Sequence, residues 1–541
     1  MKKVIALLLA LITILSFAAC GKQEEGAADP GTKPSASNQE SGKKDNNKTE
    51  PAGNNDQPAY LGKTLVVAVN QLPESLIIQN IKPTTGTLTV MPALYSRLYD
   101  YNENDEYVPC LAKGYEWVDE TNLRVFLRDD ICTCTGDKIT AEDVAYSYTA
   151  GIDGVNTSTY AEIADVVVED ELTARIVLKA PSPTFITNFN GECFSIVSKS
   201  GVEKDGGIDK ASKAPLSCTT GAYKFYEWKE GQYITLQYNE NYFEKDYVPS
   251  YEFIKYVPIA DNASRCLAVQ SGDADIAASI SLADTLGYKG SNEIKVATFP
   301  QGLSTVLFFN CSQGIFTNEK LRQAVGYLVD WEECAAVVTG GEAKLNEASF
   351  PRSCPYFYDA PNTRQKDVEK GKALMAEAGY PDGFSFEIKT AQPMVHHTNV
   401  ALLIQAQLAE FGINVTVTPL DLGIFFGVTD AGDYDAHMCN STDNFTVHMS
   451  FYDDKNTRLQ NFGGPQLSDP YITDLVQKAR TEFDDAKRKE FTDKIQQAMI
   501  DHRYGYGVCD DVSYALYNAA KLQNMTSDVK GLKPQYIRPV A

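Results

Sequence analysis

The chain has 541 residues, with 72 acidic side chains against 49 basic ones and a net charge of −23. That balance argues against nucleic acid as a partner and suits a soluble extracytoplasmic protein. The 30 Tyr and 24 Phe exceed ordinary usage; many belong in a core, and a surplus of Tyr suits a pocket that meets varied ligands with little entropy loss.

Met1-Lys2-Lys3 is a short positive start. Val4 to Phe17 is an apolar run too short to span a bilayer with a margin, and Ala18-Ala19-Cys20-Gly21 follows at once. That order predicts a secretory signal peptide over residues 1–19. Cys20 is then the lipid-acceptor position of a bacterial lipoprotein. Residues 21–59 contain no Val, Ile, Leu, Met, Phe, Trp, Tyr or Cys. Such a stretch cannot bury apolar surface, so residues 20–59 read as a lipidated cysteine on a disordered tether. No second run of about 18 apolar residues exists to cross a membrane.

The body from Tyr60 onward is long for one core; two lobes with an insertion would account for it. Thr64–Asn70, Leu123–Arg128 and Thr173–Lys179 read as strands. Thr140 to Asp143 opens a helix with a capping-box-like start. Tyr233–Asn239, Phe253–Ile259 and Ser304–Asn310 are further strands. Leu321, Val325 and Leu328 share one face of a helix starting near Asn318. Helices are expected over Asp367–Ala378 and Asn399–Phe411, closed by Gly379 and Gly412. Ile413, Val415 and Val417 then alternate as a strand. Asp469-Pro470 opens a helical pair over 470–503, joined near Asp484. The alternation predicts an α/β protein with partly parallel sheets.

The chain carries no Gly-x-Ser-x-Gly, no His-Glu-x-x-His and no phosphate-binding loop. No enzyme and no cofactor are expected. The eleven cysteines beyond Cys20 are scattered and odd in number, so they read as buried apolar residues or free thiols. Three of His396, His397, His437 and His448 could converge on a metal. Surface or pocket-lining histidines are the simpler reading, and no metal ligand is expected.

Nine segments together carry a resemblance. Among them are LYSRLYDYNENDEYVPCLAKGYEW at 94–117, GDKITAEDVAYSY at 136–148, NENYFEKDYVPSYEFIKYVPI at 239–259, FFNCSQGIFTNEKLRQAVGYLVD at 308–330 and GDYDAHM at 432–438. The chain resembles the family 5 extracellular solute-binding proteins, the peptide and nickel class that feeds ABC importers. The resemblance implies a two-lobed periplasmic-binding-protein type II fold with an additional inserted domain. Lobe one would be 60–94, 199–302 and 506–541, the insertion 95–198 and lobe two 303–505. It implies a monomer that captures extracellular peptides in the cleft between lobes by hinge closure. The bound peptide would pass to a membrane permease and its ATPase. The protein would sit at the outer face of the plasma membrane or in the periplasm, held by lipidated Cys20. The same fold binding a nickel chelate, haem or another small solute is the alternative; a surface hydrolase or adhesin is a weaker one.

Site residues follow from the same resemblance. Pro83-Thr84-Thr85-Gly86, preceding a helix near Met91, would run beside the ligand backbone. Asn440-Ser441-Thr442-Asp443 would face it from the other lobe, with Asp443 pairing the ligand's α-ammonium. His396, just before the helix near Asn399, would meet a ligand carboxylate.

Overall fold

Apolar runs become the inner strands of one mixed ten-stranded sheet. The computed structural model describes residues 58–541 apart from 82–84, 103–105, 156–158, 343–344, 362, 393, 454–463, 524, 526, 529–530 and 541. The expected leader, Cys20 and nearly all of the tether lie outside the described residues. Across the sheet the strands run Asn414–Leu420, Ser385–Ala391, Ala436–Thr442, Ile294–Phe309, Gly505–Asn518, Ile276–Ile280, Thr64–Val69, Phe253–Pro258, Tyr233–Tyr238 and Tyr223–Lys229. Thr64–Val69 pairs in parallel with Phe253–Pro258 and Ile276–Ile280. Ser385–Ala391 does the same with Asn414–Leu420 and Ala436–Thr442. The helix Val395–Ala409 makes the crossover from Ser385–Ala391 to Asn414–Leu420, as parallel neighbours require.

Two cores lie along this sheet. Leu65, Val67, Leu94, Val125, Tyr148 and Tyr256 belong to one. Leu321, Val325, Leu328, Trp331, Ile388 and Ile404 belong to the other, extended by a cluster around Phe350, Met449 and Ile472. Among the described residues, two strands feed both. Ile294–Phe309 gives Phe299 to the first core and Leu307 to the second. Gly505–Asn518 gives Ala515 to the first and Tyr506 to the second.

These two strands pair antiparallel along their length, with a register shift between Pro300 and Ser304, opposite Val512 and Asp510. Proline lacks the ladder donor and belongs at such a break. Gly302, at φ +66°, supplies a left-handed residue there. The reading of a strand at Ser304–Asn310 was thus too short by ten residues at its start. The segment IKVATFPQGL is half-exposed and holds Pro and Gly, so only its partner strand makes it extended.

A separate four-stranded antiparallel sheet packs on the first core, in the order Ala112–Asp119, Asn122–Leu127, Thr173–Leu178, Ile163–Asp170. The helix Ala141–Ile152 covers it with Val144 and Tyr148 fully buried. Its start is fixed by the Thr140 N–H, which donates to Asp143 Oδ2 at 2.8 Å. The helix pair falls at Pro470–Thr481 and Asp485–His502, with Asp469 and Asp484 accepting from backbone N–H groups as N-caps.

Two helix starts differ from the sequence reading. Val395–Ala409 begins four residues before Asn399. Its N-cap position, Met394, makes no side-chain cap bond, so no capping residue marks the start. Thr85–Leu94 begins at Thr85, placing Thr85 and Gly86 inside the helix that they were expected to precede. Its Thr-Gly-Thr opening has weak helix propensity and hides the boundary.

The eleven body cysteines are free thiols, and most are buried. A buried ionic knot ties the 345–364 loop to the second core. Glu347 accepts from Arg364 Nε at 2.5 Å, from Arg503 at 3.0 Å and from the Thr363 hydroxyl at 2.5 Å. No helix among the described residues is long and apolar enough to cross a membrane.

Candidate functional site

The register break gathers the polar residues. Asp511 lies in the break on Gly505–Asn518, 5% exposed. Its carboxylate accepts from the Thr305 hydroxyl at 2.6 Å and from Asn440 Nδ2 at 2.5 Å. His396 Nε2 lies 3.4 Å from Asp511 Oδ2. Four elements therefore converge: both long strands, the end of Ala436–Thr442 and the first turn of Val395–Ala409. Burial alone would raise the Asp511 carboxyl. Its pairing with His396 at 3.4 Å, and the Thr305 hydroxyl, hold it below the usual carboxylate range instead.

Asp443 closes the other side of the break. Its N–H donates to the Gly302 carbonyl at 2.9 Å. Its carboxylate lies against Gly302 so closely that a Cβ there would fall 2.6 Å from Oδ2. Any side chain at 302 would displace it. Thr442 and Asn444 shape this turn: the Thr442 hydroxyl accepts from the Asn444 N–H at 3.2 Å, and Asn444 caps the helix Phe445–Ser450. His448 sits 3.1 Å from the Thr442 carbonyl through Nδ1 and 2.9 Å from the Tyr452 hydroxyl through Nε2.

The remaining expected residues take different places. Ser441 is fully buried, and its hydroxyl donates to the Ser349 carbonyl, so its side chain anchors the 349 loop. Thr84 lies outside the described residues, and Thr85 is described only as the first residue of its helix. Gly86 is small because Gln71 approaches it; a Cβ would meet the Gln71 carbonyl oxygen at 2.1 Å. His397, His437 and His448 are not surface or pocket-lining residues. They are buried, at 1%, 0% and 0% exposure. Burial pushes their imidazoles down to about 3, about 4 and about 3, so all three are neutral at pH 7.

The two halves also meet away from the break. Asn444 Nδ2 donates to Asn188 Oδ1 at 2.8 Å, and the Trp117 and Phe483 rings meet edge to face at 5.2 Å. Asn444 thus links the turn carrying Asp443 to the first half.

The matched family is described as bacterial extracellular solute-binding proteins, family 5 middle, and its model covers residues 106–461, more than half of the chain. The chain belongs to this family of solute-binding proteins.

Relatives and folds agree with that membership. The glutathione-binding protein GsiB of Pectobacterium atrosepticum is 25% identical over 374 residues, 68% of this chain and 71% of that one. The solved structure of DppA from Helicobacter pylori with the peptide STSA aligns with a TM-score of 0.69 at 21% identity, covering 89% of this chain and 99% of that one. NikA from Brucella suis with Fe(III)-EDTA aligns at 0.76 and 18%, covering 88% and 100%. The fold is the two-lobed type II periplasmic-binding fold. Membership makes the chain a substrate-binding protein of an ABC importer, working outside the cytoplasm, in a family defined by binding.

A cavity of about 660 Å³ lies elsewhere, in lobe one, lined by Tyr95, Asp100, Tyr242, Tyr247, Lys533 and Tyr536. It contains none of the residues at the break. The break and the neighbouring Asn444 turn gather polar side chains from both crossover strands and two further elements, so they form the candidate solute site. Sequence reasoning missed Asp511, Thr305 and the burial of His397. The only sequence trace of Asp511 is the Asp510-Asp511 pair inside an otherwise apolar strand.

Proposed function

We propose that this family 5 protein is a lipid-anchored receptor that captures extracellular peptides between its lobes and delivers them to a membrane permease. The observation that carries the reading is the position of Asp443, at a turn that touches the crossover strand at Gly302 and, through Asn444, reaches Asn188 of the first half. A carboxylate held where the lobes meet is what a peptide's α-ammonium needs when closure removes its water. The contacts to the ligand backbone would come from the 440–443 segment and from Thr84, Thr85 and Gly86, as strand-like peptide recognition requires. The ligands of relatives, a peptide for DppA and glutathione for GsiB, support a peptide-like solute.

The test is a thermal-shift screen of mixed peptides, glutathione and a nickel chelate. A ligand at about 100 times its Kd stabilises the bound form by roughly 2.7 kcal/mol. Peptides should raise the melting temperature in a dose-dependent way. A rise with glutathione or the chelate alone would replace peptides as the cargo without touching the family assignment.

The anchor is read from Cys20 after its signal peptide. Cells fed a labelled fatty acid should incorporate label into wild type and none into Cys20→Ala. Equal labelling of the variant would refute the anchor.

A further inference from the structure

We propose that His396, His397 and Asp511 form a binding site for a divalent transition-metal ion at the crossover between the lobes. Each offers one ligand atom, and the three atoms lie within 4.8 Å of one another. This runs against the sequence expectation of no metal ligand. The proposal does not depend on the peptide reading.

The decisive residue is His397. It is 1% exposed, and among the described residues neither ring nitrogen has a hydrogen-bond partner. A neutral imidazole carries one donor and one acceptor, and both are costly to bury unmet. His448, equally buried, has a partner within 3.1 Å for each nitrogen. His437, also buried with neither ring nitrogen paired among the described residues, lies outside the cluster, whereas His397 has a second imidazole and a carboxylate within ligand reach. A metal ion would take its acceptor nitrogen.

The carboxylate is built for the same task. Metal-ligating carboxylates are commonly held by outer hydrogen bonds that fix their orientation. Asp511 has two, from Thr305 and Asn440. Both leave it acceptor-only and aimed toward His396, 3.4 Å away. A cation bound at about 2.0–2.2 Å in tetrahedral geometry sets its ligand atoms roughly 3.4 Å apart. The observed spread, within 4.8 Å, therefore closes with side-chain shifts on the order of 1–1.5 Å. The His396 side chain, 32% exposed, is free to make such a shift.

One field opposes a cation. The first turn of a helix carries partial positive charge, about half a unit. The full negative charge of Asp511 stands at ligand distance and outweighs it. Two imidazoles and one carboxylate select a borderline ion of the zinc or nickel type over magnesium or calcium. Three protein ligands also leave coordination positions open, as in zinc sites that bind a further molecule. His396 forms the exposed side, so a solute's donor atoms could complete the shell.

The test uses untagged full-length protein, stripped with chelator and titrated with Zn²⁺ in a calorimeter. One equivalent should bind to wild type. His397→Leu and Asp511→Asn should each weaken it about 100-fold or more. His396→Ala should do the same in protein that circular dichroism shows to be folded. Asn440→Ala should weaken binding about 10- to 100-fold. His437→Leu, buried outside the cluster, should bind as wild type does. Mg²⁺ should give no saturable heat. Co²⁺ should give visible bands without a thiolate charge-transfer band. Absent zinc binding in wild type, wild-type affinity in folded His396→Ala, or a cobalt–thiolate band pointing to a cysteine would each overturn the site.

Discussion

Glu347→Ala is expected to destabilise lobe two by about 3–5 kcal/mol, because it strands two arginines in the core. Arg364 and Glu347 have side chains only 1% and 4% exposed, and Arg503 is 11% exposed. Burial lowers the Arg364 guanidinium's pKa, with Glu347 as the main charge opposing that shift. Without Glu347, Arg364 keeps the Asn346 carbonyl at 2.7 Å and the Gly507 carbonyl. Those dipoles do not neutralise a charge. Trp331 stacks under Arg364, 5.4 Å from ring to guanidinium, so its fluorescence reports this region. For a urea slope near 3 kcal/mol/M, the Trp331 transition should fall by on the order of 1 M. A Glu347→Leu, Arg364→Met, Arg503→Met triple variant should recover most of that loss, since removing every charge leaves nothing unpaired. If Glu347→Ala melts within about 1 kcal/mol of wild type, the knot is not the support described.

How much of this architecture is written locally varies with what holds each element. STVLFFN declares itself a strand because its residues are buried on both faces. IKVATFPQGL does not, because its extended form comes from pairing with residues more than two hundred positions away. The helix at Asn318 announces itself through a capping side chain and a buried stripe at Leu321, Val325 and Leu328. The helix at Val395 lacks such a cap, so its start was placed too late and His396 fell outside it. The same distinction governs the site. Counting along the family pattern led to Asp443 and His396, both near the lobe crossover. Asp511 was invisible, because its partners Thr305, His396 and Asn440 come from three other elements and share no local spacing. Ser441 was legible as a position but not as a side chain. Strand alternation turns it toward the 349 loop and turns Asn440 toward Asp511.

Asp443→Asn should cripple binding of peptides with a free amino terminus, if Asp443 is the ammonium anchor proposed above. The substitution keeps the shape beside Gly302 and the backbone bond to its carbonyl, so the fold should survive it. It removes the charge and turns one acceptor oxygen into a donor NH2. An α-ammonium enclosed by closing lobes then has no carboxylate to offset its lost water. Breaking such a desolvated pair costs about 2–5 kcal/mol. At roughly 1.4 kcal/mol per decade, affinity should fall about 30-fold to several thousand-fold. N-acetylated peptides lack the charge, so wild type should bind them poorly and the variant should discriminate against them much less. Calorimetry with both peptides and both proteins completes a double-mutant cycle. A coupling energy near zero, with tight binding of the free peptide to wild type, would remove Asp443 as the anchor. Peptide capture itself would survive that outcome, because another carboxylate could hold the ammonium. The cycle is kept clear of the proposed metal by running it in chelator, since Asp443 is not one of the three ligand residues. A coupling that disappeared when Zn²⁺ was restored would mean that the bound ion had taken over capture of the peptide terminus.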